Sequence, residues 1–497
     1  MSGAVELADV RCLAVLGLRR SGLPAALLAR RRLPEARVVA LDEGAAPEEA
    51  AAQLEAAGVE VLTGAAAVLP GDAGLLVKSP GVPNESPVVQ EALRRGVPVW
   101  SEVEFAARFL PNRTVGITGT NGKTTTTELT GALFRDAGLP VAVGGNIGYA
   151  LAGMPAAVPA GAVVVAELSS FQLEHVERFR PDVAVLLNLA EDHLDRHGDY
   201  RAYADAKLRI FENQGPGDLA VLCADDPGVL DEEAAGRLGL RARRAWFSAA
   251  PGGDAGPGGE PLAAGVGADG VLWLDVGLAA GAAGHAEAAP GPTGSVQGRV
   301  ALCPAAELSL RGTHNLQNAL AAALAACFLG VPPSSASRTL RTFAGVRHRL
   351  QVVATAGGVT WVNDSKGTNV DAVLKALTAY TERVHLILGG YDKGAAWDEL
   401  VVATEGHVVE ALLIGATAAQ LEAAFAARAA EAPGSATPAV RCGDLATAVA
   451  EAASRAAPGD VVLLSPACAS WDQYRDYEAR GEQFIELVEH LHTPGEP

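Results

Sequence analysis

The residues best suited to chemistry begin at a glycine-rich stretch, VGITGTNGKTTTTELTGAL, at positions 115–133. An apolar run, a glycine loop and a helix-like segment follow one another there, and Lys123 and Thr124 lie where the loop meets the helix. Backbone N–H groups and the helix dipole attract phosphate oxygens at such a junction. The sequence therefore predicts that Lys123 neutralises β- and γ-phosphate oxygens and that Thr124 offers its hydroxyl to Mg²⁺.

The spacing of the glycines differs from that of the usual phosphate-binding loop. That loop would require glycine at position 117, where the chain has Ile117, and the glycines lie instead at 116, 119 and 122. We expect an ATP site that is atypical of kinases and GTPases. A glycine turn with an incidental lysine is the alternative, which the following helix disfavours. The expected nucleotide contacts are Gly119, Thr120, Asn121, Gly122, Lys123, Thr124 and Thr125.

Candidate metal ligands follow two later apolar runs. Residues 162–168 contain Glu167 at the start of ELSSFQLE, and residues 182–189 lead into EDHLDRH, which contains His193. The carboxyl ends of parallel strands meet at one edge of a sheet, so these side chains should gather beside the phosphate loop. Mg²⁺ prefers oxygen ligands, which favours Thr124 and Glu167, whereas a structural histidine is the alternative for His193.

Lysine is rare in this chain, and its positions are therefore informative. Lysine persists where a compact, deprotonatable amine is needed, because arginine cannot supply one. The alternative is that codon bias removed most lysines and left the others at random positions. Four of the six lysines fall at candidate sites, and the other two, Lys78 and Lys375, are expected on the surface. The four at candidate sites are Lys123, Lys207, Lys366 and Lys393.

Three α/β segments would position these residues. We interpret 1–108 as a Rossmann-like domain, 109–345 as a central P-loop ATPase-like domain with a parallel sheet, and 346–497 as a second Rossmann-like domain. The Gly/Ala/Pro-rich tract 249–297 is predicted to be a partly disordered surface insertion with a short hairpin at 271–276.

The first segment carries an altered nucleotide-binding turn. GLRRSG at 17–22 joins an apolar strand to a helix, and a second strand ends at Asp42, close to the spacing of a dinucleotide fold. Arg19 replaces the glycine that would let a pyrophosphate approach, so NAD is not supported. A nucleotide-binding domain of another kind is expected.

Composition disfavours several classes of protein. The formal net charge of −19 argues against a nucleic-acid or anionic-membrane surface. The six cysteines never form Cys-x-x-Cys, which disfavours structural zinc and a disulfide framework. Neither a signal peptide nor an apolar run of roughly 18 residues is apparent. We expect a cytoplasmic protein that binds no nucleic acid and inserts into no membrane.

Together these stretches resemble the Mur ligases, the ATP-dependent amide ligases of peptidoglycan precursor synthesis. NDSKGTN with SPACASWDQ is the most specific part, and the resemblance spans nearly the whole chain except 249–297. It implies the member that adds D-glutamate to UDP-N-acetylmuramoyl-L-alanine with ATP and two Mg²⁺ ions. Successive domains would bind the UDP end, ATP and the amino acid. The other matching stretches are TGTNGKTT, GGNIG, ELSSFQLE, EDHLDRH, AKLRI, GTHNLQNALAA and HRLQVV.

The resemblance also implies roles for individual residues. Glu167 would be a metal ligand, and His193 would belong to the second metal site and contact the substrate carboxylate. Lys366 would be a catalytic lysine beside the D-glutamate pocket. The further nucleotide contacts would be Asn318, Arg349 and Asp364, and the UDP-sugar contacts Ser21 and Asn146. The D-glutamate pocket would comprise Thr368, Lys393, Ser470 and Tyr477.

Two features depart from the family pattern. GLRRSG replaces a glycine-rich uridine loop, and Gly44 stands where an arginine that contacts the diphosphate is expected. Arg19 or Arg20 would then supply that charge.

We expect Lys207 to carry a carbamate. A second Mg²⁺ beside His193 needs another hard oxygen ligand or a negative charge, and a neutral amine takes up CO₂ to form an anionic carbamate. The alternative is an ion pair of Lys207 with Glu191 or Asp205. Other functions that remain open are a different Mur ligase, a folate polyglutamate ligase and a nucleotide-regulated binding protein. We expect a monomer that acts on small molecules.

Overall fold

The computed structural model describes residues 6–275, 277, 298–392, 395–432 and 434–491 of the chain, apart from the side chain of residue 195. Across these residues the strands form three sheets. The chain divides into two compact units, the first comprising residues 1–308 and 317–341 and the second residues 309–316 and 342–497. The predicted α/β fold with parallel sheets in three regions is confirmed.

The first sheet is parallel and has the strand order β3-β2-β1-β4-β5. Its central strand, β1, is buried on both faces, as expected for a continuous apolar run in a parallel sheet. The strands are β1 (Cys12–Leu16), β2 (Arg37–Asp42), β3 (Glu60–Thr63), β4 (Leu75–Lys78) and β5 (Val99–Ser101). The helices are α1 (Gly22–Arg32), α2 (Glu48–Ala56), α3 (Pro87–Arg94) and α4 (Glu102–Ala107).

The turn between β1 and α1 needs its glycines. Gly17 has φ +86°, and a Cβ on Gly22 would lie 1.7 Å from the carbonyl oxygen of Gly17. The turn is closed further by Asp42, whose carboxylate accepts the backbone N–H of Leu18 at 2.9 Å. Asp42 is thus engaged with the turn itself.

Helix α4 carries two buried carboxylates that attach it to the central segment. Glu104 Oε2 accepts the backbone N–H groups of residues 177, 178 and 179 at 2.8, 2.9 and 2.8 Å. Glu102 Oε1 accepts the backbone N–H of Ala152 at 2.5 Å. Both side chains are almost completely buried, so these hydrogen bonds replace those that water would make to Glu104 Oε2 and Glu102 Oε1.

The central sheet has the order β14-β13-β12-β11-β10-β9-β6-β8-β7 and is parallel from β7 to β12. Its strands are β6 (Thr114–Thr118), β7 (Val141–Gly145), β8 (Val163–Glu167), β9 (Val183–Leu186), β10 (Leu219–Cys223), β11 (Arg243–Pro251), β12 (Leu262–Val266), β13 (Val271–Asp275) and β14 (Arg299–Pro304). The helices from here to the third sheet are α5 (Lys123–Asp136), α6 (Ser170–Leu173), α7 (Leu194–His197), α8 (Tyr200–Leu208), α9 (Pro227–Ala234), α10 (Thr313–Phe328) and α11 (Pro333–Thr342).

The short hairpin predicted within the insertion at 249–297 is confirmed, but the residues before 276 belong to the central sheet and do not form a separate surface insertion. β12 and β13 pair with each other in the antiparallel sense and extend the central sheet, with Leu262 and Leu274 buried. β12 lies between β11 and β13, and β13 between β12 and β14, so both are internal strands of the central sheet. Residues 276 and 278–297, to which the prediction of disorder also applied, lie outside the described part of the chain.

The third sheet has the order β15-β16-β20-β17-β18-β19, and β15 is antiparallel to its neighbour. All four predicted strand-then-loop units are present, as β16, β17, β18 and β20. The strands are β15 (Gln351–Ala356), β16 (Val359–Asn363), β17 (Val384–Gly389), β18 (Val408–Ile414), β19 (Ala439–Gly443) and β20 (Val461–Leu464). The helices are α12 (Val370–Leu377), α13 (Asp398–Ala403), α14 (Ala418–Glu431), α15 (Leu445–Arg455) and α16 (Tyr477–His490).

One lysine was misplaced by the sequence interpretation. Lys78 was expected on the surface, but its side chain is completely buried at the end of β4, and it forms an ion pair with Glu174 at 3.4 Å. Lys375 is partly exposed and pairs with Asp371 four residues earlier, as a surface helix residue does.

Two negative predictions can be compared with the structure. No helix in the described ranges is both long and apolar enough to cross a membrane. The six cysteines are all free thiols.

Candidate active site

The phosphate loop joins β6 to α5, as the sequence predicted, with Lys123 as the first helical residue. Gly122 has φ +81°, and a Cβ there would come within 2.4 Å of Asn318 Oδ1. Gly116 lies inside β6, where a Cβ would press on three side chains at 3.2–3.3 Å. The unusual glycine spacing is therefore explained, since the first glycine is a packing position of the strand and only the later two shape the loop.

The loop is braced by side chains from neighbouring elements. Asn188, just after β9, accepts the backbone N–H of Asn121 at 2.8 Å and donates to its carbonyl oxygen at 3.1 Å. Thr120 shares a 2.8 Å hydrogen bond with the hydroxyl of Tyr203 on α8. Asn318, on α10, accepts from the hydroxyl of Thr126 at 3.2 Å. The loop conformation is thus held by contacts distant in sequence.

The cationic side chain of the loop lies over its own backbone. Lys123 Nζ donates to the carbonyl oxygens of Gly119 and Thr120 at 2.8 and 2.7 Å. Thr124 and Thr125 are buried in the first turn of α5. The ammonium group of Lys123 therefore lies beside the loop that leads into the N-terminus of α5; phosphate binding by these groups stays a prediction.

Glu167 ends β8 and faces the strand that leads into the phosphate loop. β8 pairs with β6 in the parallel sense, with Glu167 opposite Ile117. Glu167 Oε1 accepts from Asn146 Nδ2 at 2.9 Å, whereas Oε2 is buried without a hydrogen-bond partner. An unpartnered buried carboxylate oxygen is costly, and a cation would satisfy it. The donor set therefore fits a hard divalent ion such as Mg²⁺.

His193 lies beyond β9, which is the neighbour of β6 on the other side. It precedes α7 in a left-handed conformation, with φ +54°. Half of its side chain is exposed, its Nε2 is 3.6 Å from Asp192 Oδ2, and its ring meets that of Phe171 edge-on at 5.0 Å. β9, β6 and β8 are neighbours in the sheet, in that order; that Lys123, Glu167 and His193 gather in one site stays a prediction.

Lys207 reaches the phosphate loop from α8. Its Nζ is buried and donates to the carbonyl oxygen of Gly119 at 2.8 Å. Burial lowers the pKa of Lys207 well below its ordinary value, and the charge of Lys123 lowers it further against the opposing charges of Asp192 and Glu167. Asp205, a partner considered from the sequence, pairs instead with Arg201 at 3.0 Å. In the described chain no carboxylate forms an ion pair with Lys207.

Residues predicted for the UDP-sugar lie around the turn between β1 and α1. Ser21 is half-buried at the start of α1, and its side chain forms no cap hydrogen bond with that helix. Arg20, one of the arginines considered for the diphosphate, donates to the carbonyl oxygen of Gly148 at 3.0 Å. This contact connects the turn to the GGNIG stretch that contains Asn146.

In the second unit, Asp364 and Arg349 lie near one another. Asp364 is buried after β16, where its carboxylate accepts the hydroxyl of Ser465 at 2.7 Å and the backbone N–H of Leu350 at 3.2 Å. Burial raises the pKa of Asp364 to about 6, and the positive charge of Arg349 opposes that rise. His348 and Leu350, on either side of Arg349, both have positive φ.

The other predicted residues of this unit also follow strands of the third sheet. Lys366 and Thr368 follow β16, Ser470 follows β20, and Tyr477 begins α16. The ammonium of Lys366 lies 5.4 Å from the centre of the Tyr477 ring, and Ser470 is buried. β16 and β20 are direct neighbours, so these loops share one edge of the sheet. Lys393 lies outside the described residues.

Comparisons with known proteins agree with this architecture. Residues 117–239 match the family model "Mur ligase middle domain", and residues 348–468 match "Mur ligase, glutamate ligase domain". A UDP-N-acetylmuramoylalanine--D-glutamate ligase of Anaeromyxobacter dehalogenans is 44% identical, covering 98% of each chain. One of Pelotomaculum thermopropionicum is 42% identical, covering 95% of this chain and 96% of its own. The chain belongs to the Mur ligase family.

Solved structures share the fold of this Mur ligase. UDP-N-acetylmuramate-alanine ligase of Thermotoga maritima has a TM-score of 0.56 at 18% identity, with 97% of this chain and all of that chain covered. A MurF ligase of the same organism, in complex with ADP, has a TM-score of 0.53 at 18% identity, covering 84% of this chain and 88% of its own. At such identities the likeness concerns the fold alone.

Two structural residues of this Mur ligase were missed by the sequence interpretation. Asn188 was included in a strand, although it braces the phosphate loop from just beyond β9. Arg480 on α16 is fully buried and donates to the carbonyl oxygens of Ser365 and Cys468 at 2.9 and 3.1 Å. It thereby joins the loops after β16 and β20. The sequence around Arg480 contains no pattern that would indicate that an arginine on this helix is buried.

Proposed function

We propose that this Mur ligase joins D-glutamate to the terminal carboxylate of UDP-N-acetylmuramoyl-L-alanine, with conversion of ATP to ADP and phosphate, in peptidoglycan precursor synthesis. The observation that carries the proposal is that Lys123, Glu167 and His193 lie at or after the ends of three strands, β6, β8 and β9, that are neighbours in the sheet. The names of the relatives, the glutamate ligase domain model and the ADP in a structural neighbour support the choice of substrates.

The reaction needs a better acyl donor than a carboxylate. A carboxylate oxygen of the UDP substrate attacks the γ-phosphorus of ATP, the bond to the ADP oxygen breaks, and an acyl phosphate forms. The neutral amine of D-glutamate then attacks the acyl carbon, phosphate leaves with the bonding electrons, and the nitrogen loses a proton. Lys123 and the N–H groups of the loop stabilise negative charge on the transferring phosphoryl group.

Thr124 and Glu167 would hold one Mg²⁺, and His193 and Lys207 the other. The bound ions would neutralise phosphate oxygens. The buried, unpartnered Oε2 of Glu167 supports the first position. Among the described residues, no group of three or more His, Cys, Asp or Glu side chains is arranged to hold a metal ion. Phosphate oxygens would therefore complete the ligand sets, as is usual for Mg²⁺.

Lys207 would take part as its carbamate. The buried amine attacks CO₂ and forms a nitrogen–carbon bond, the nitrogen loses a proton, and the product is anionic. Three observations support this: the amine is buried, its pKa is lowered well below the ordinary value, and Asp205 is occupied by Arg201. A neutral amine is the form that reacts with CO₂. The negative product would also relieve the repulsion between Lys207 and Lys123.

The remaining residues would have the roles that family membership suggests. Ser21 and Asn146 would contact the UDP-sugar, and Lys366 would be a catalytic lysine. The further nucleotide contacts would be Asn318, Arg349 and Asp364. The D-glutamate contacts would be Thr368, Lys393, Ser470 and Tyr477. The three segments 1–108, 109–345 and 346–497 would be the corresponding domains of a monomer.

The deciding experiment is release of ADP with UDP-N-acetylmuramoyl-L-alanine and a panel of D- and L-amino acids, with the amide product identified by mass spectrometry. D-Glutamate alone should support turnover. Preference for another amino acid or a longer UDP substrate would indicate a different Mur ligase. Turnover with folate and L-glutamate would indicate a folate polyglutamate ligase, and binding of ATP without any product would indicate a binding protein.

A further inference from the structure

A loop of the first sheet reaches the elements that carry His193. This loop, residues 79–84, follows β4 and has the sequence SPGVPN; we call it the SPGVPN loop. Lys78, directly before it, is buried, and its Nζ donates to the carbonyl oxygen of Val82 at 2.9 Å and to Glu174 Oε2 at 3.4 Å. Asn84 Nδ2 donates to the same carboxylate oxygen at 3.3 Å. Glu174, just after α6, thus holds both ends of the loop.

Arg196 on α7 holds the middle of the same loop. Its guanidinium donates to the carbonyl oxygens of Pro80 and Val82, both at 2.7 Å. The same guanidinium lies 4.1 Å from the centre of the Phe171 ring. Phe171 in turn contacts the ring of His193 edge-on at 5.0 Å. One arginine therefore connects backbone of the first sheet with the aromatic ring against which His193 rests.

Helix α7 has little stability of its own. It comprises only residues 194–197, too short to form without tertiary contacts. His197, its last residue, stacks on Phe171 at 5.1 Å and lies 3.5 Å from Glu174 Oε1. His193, which precedes the helix, accepts the backbone N–H groups of Arg196 and His197 through its carbonyl oxygen at 3.1 and 3.0 Å. The position of His193 thus depends on the contacts that hold α7.

The opposite side of the SPGVPN loop packs on the turn between β1 and α1. Ser79 Oγ donates to the carbonyl oxygen of Gly17 at 2.7 Å. A Cβ on Gly17 would lie 2.8 Å from Val82, which shows how closely the two segments approach. That turn contains Ser21, a residue assigned above to the UDP substrate. The loop therefore lies between the turn proposed for the UDP substrate and the helix that positions His193.

We propose that Arg196 is a positioning residue that ties the SPGVPN loop to α7 and so sets His193 for the second metal site, with the Lys78–Glu174 ion pair as a second tie. The role of His193 in this inference rests on the proposed function. The tie couples the turn that holds the UDP substrate to the metal site. Movement of that turn then displaces His193.

Arg196→Lys is the sharpest perturbation, and Arg201→Lys is its matched control. Lysine keeps the charge but loses the planar fork that serves two carbonyl oxygens and the face that stacks on Phe171. Arg201 lies five residues further on, is exposed and forms an ion pair with Asp205 on the same helix. Lys78→Met tests the second tie, because methionine fills the buried volume without an ammonium group.

Hydrogen exchange of residues 190–198 tests the tie without any substrate. Arg196→Lys and Lys78→Met should each accelerate exchange there by roughly 10-fold, the effect of losing about one charge-assisted hydrogen bond. Arg201→Lys should leave it unchanged. Unchanged exchange in both tie variants would overturn the proposal, whatever the substrates are. If Lys78→Met does not fold, Arg196→Lys alone decides.

Kinetics test the connection to His193. Arg196→Lys should raise the half-saturating Mg²⁺ concentration and the KM for the UDP substrate by roughly 10-fold, with the KM for D-glutamate within about twofold. In the background of His193→Asn the same substitution should have little further effect on Mg²⁺ dependence, because residues that act as a unit are not additive. Full additivity would overturn the positioning role. If the unsubstituted protein released no ADP with these substrates, the proposed function would be contradicted. Hydrogen exchange would still test whether Arg196 holds the SPGVPN loop to α7.

Discussion

Glu104 offers a direct test of how the first sheet is attached to the central segment. One oxygen of its buried carboxylate accepts three backbone N–H groups, of residues 177–179, at 2.8–2.9 Å. Glu104→Gln preserves the shape and an acceptor oxygen but removes the charge. Hydrogen bonds to charged groups contribute about 1.5–3 kcal/mol and neutral ones about 0.5–1.5. A loss of about 1 kcal/mol for each of three bonds gives roughly 3 kcal/mol in total.

That loss should appear as local opening. Because 1.4 kcal/mol corresponds to a tenfold change in an equilibrium constant, the amides of residues 177–179 should exchange roughly 100-fold faster. Hydrogen exchange resolved to short peptides is the assay, under conditions in which reclosing is faster than chemical exchange. Amides of β10 serve as the internal reference.

The control variant is Glu91→Gln on α3. Glu91 pairs with Arg94 at 2.6 Å on the surface, where such pairs contribute little, so exchange at residues 177–179 should not change. Acceleration of less than about threefold in Glu104→Gln would refute the reasoning, because the charge on the carboxylate would then contribute nothing to the attachment.

Three further predictions concern single side chains. Lys207→Arg keeps a positive charge but cannot form the carbamate, so turnover in the ADP assay should fall roughly 100-fold, and near-normal turnover would exclude the carbamate. Glu167→Gln should raise the half-saturating Mg²⁺ concentration roughly 10-fold or more, and an unchanged Mg²⁺ dependence would remove Glu167 from the metal site. Burial raises the pKa of Glu102 from 4.5 to about 7. The stability contributed by its protonated carboxyl group is therefore complete below pH 4.5 and is lost as the pH rises through 7. As the pH rises from 6 to 8, the free energy of unfolding of Glu102→Gln should therefore increase by about 1 kcal/mol relative to that of the unsubstituted chain. Parallel changes of Tm with pH in both proteins would contradict this.

The segments that carry the proposed site residues were predictable because each comes soon after an apolar strand. Glu167 ends β8, whereas Lys123 and His193 lie in the segments that follow β6 and β9. In a parallel sheet that position decides which edge a residue occupies. The order of the strands was not predictable from the chain, and it is this order that makes the three ends adjacent.

Burial of charged residues was predicted poorly. Lys78 was expected on the surface because it falls at none of the candidate sites, and Glu174, with which it pairs, lies 96 residues away. Arg480 and Ser365 are 115 residues apart. A charged side chain becomes buried only where distant groups compensate it, and a local pattern carries no information about such groups.

The sequence by itself determined the α/β class, the phosphate loop, most strands that bear the proposed site and the resemblance to Mur ligases. These features depend on local patterns, namely apolar runs, glycine turns and short motifs. Only the tertiary structure decided that Glu104 attaches α4, that Arg196 holds the SPGVPN loop, and that the stretch before residue 276 belongs to a sheet. The first two depend on hydrogen bonds between segments far apart in the chain, which form only once the sheets have assembled. The third depends on a local hairpin, β12 with β13, and on the pairing of β13 with β14.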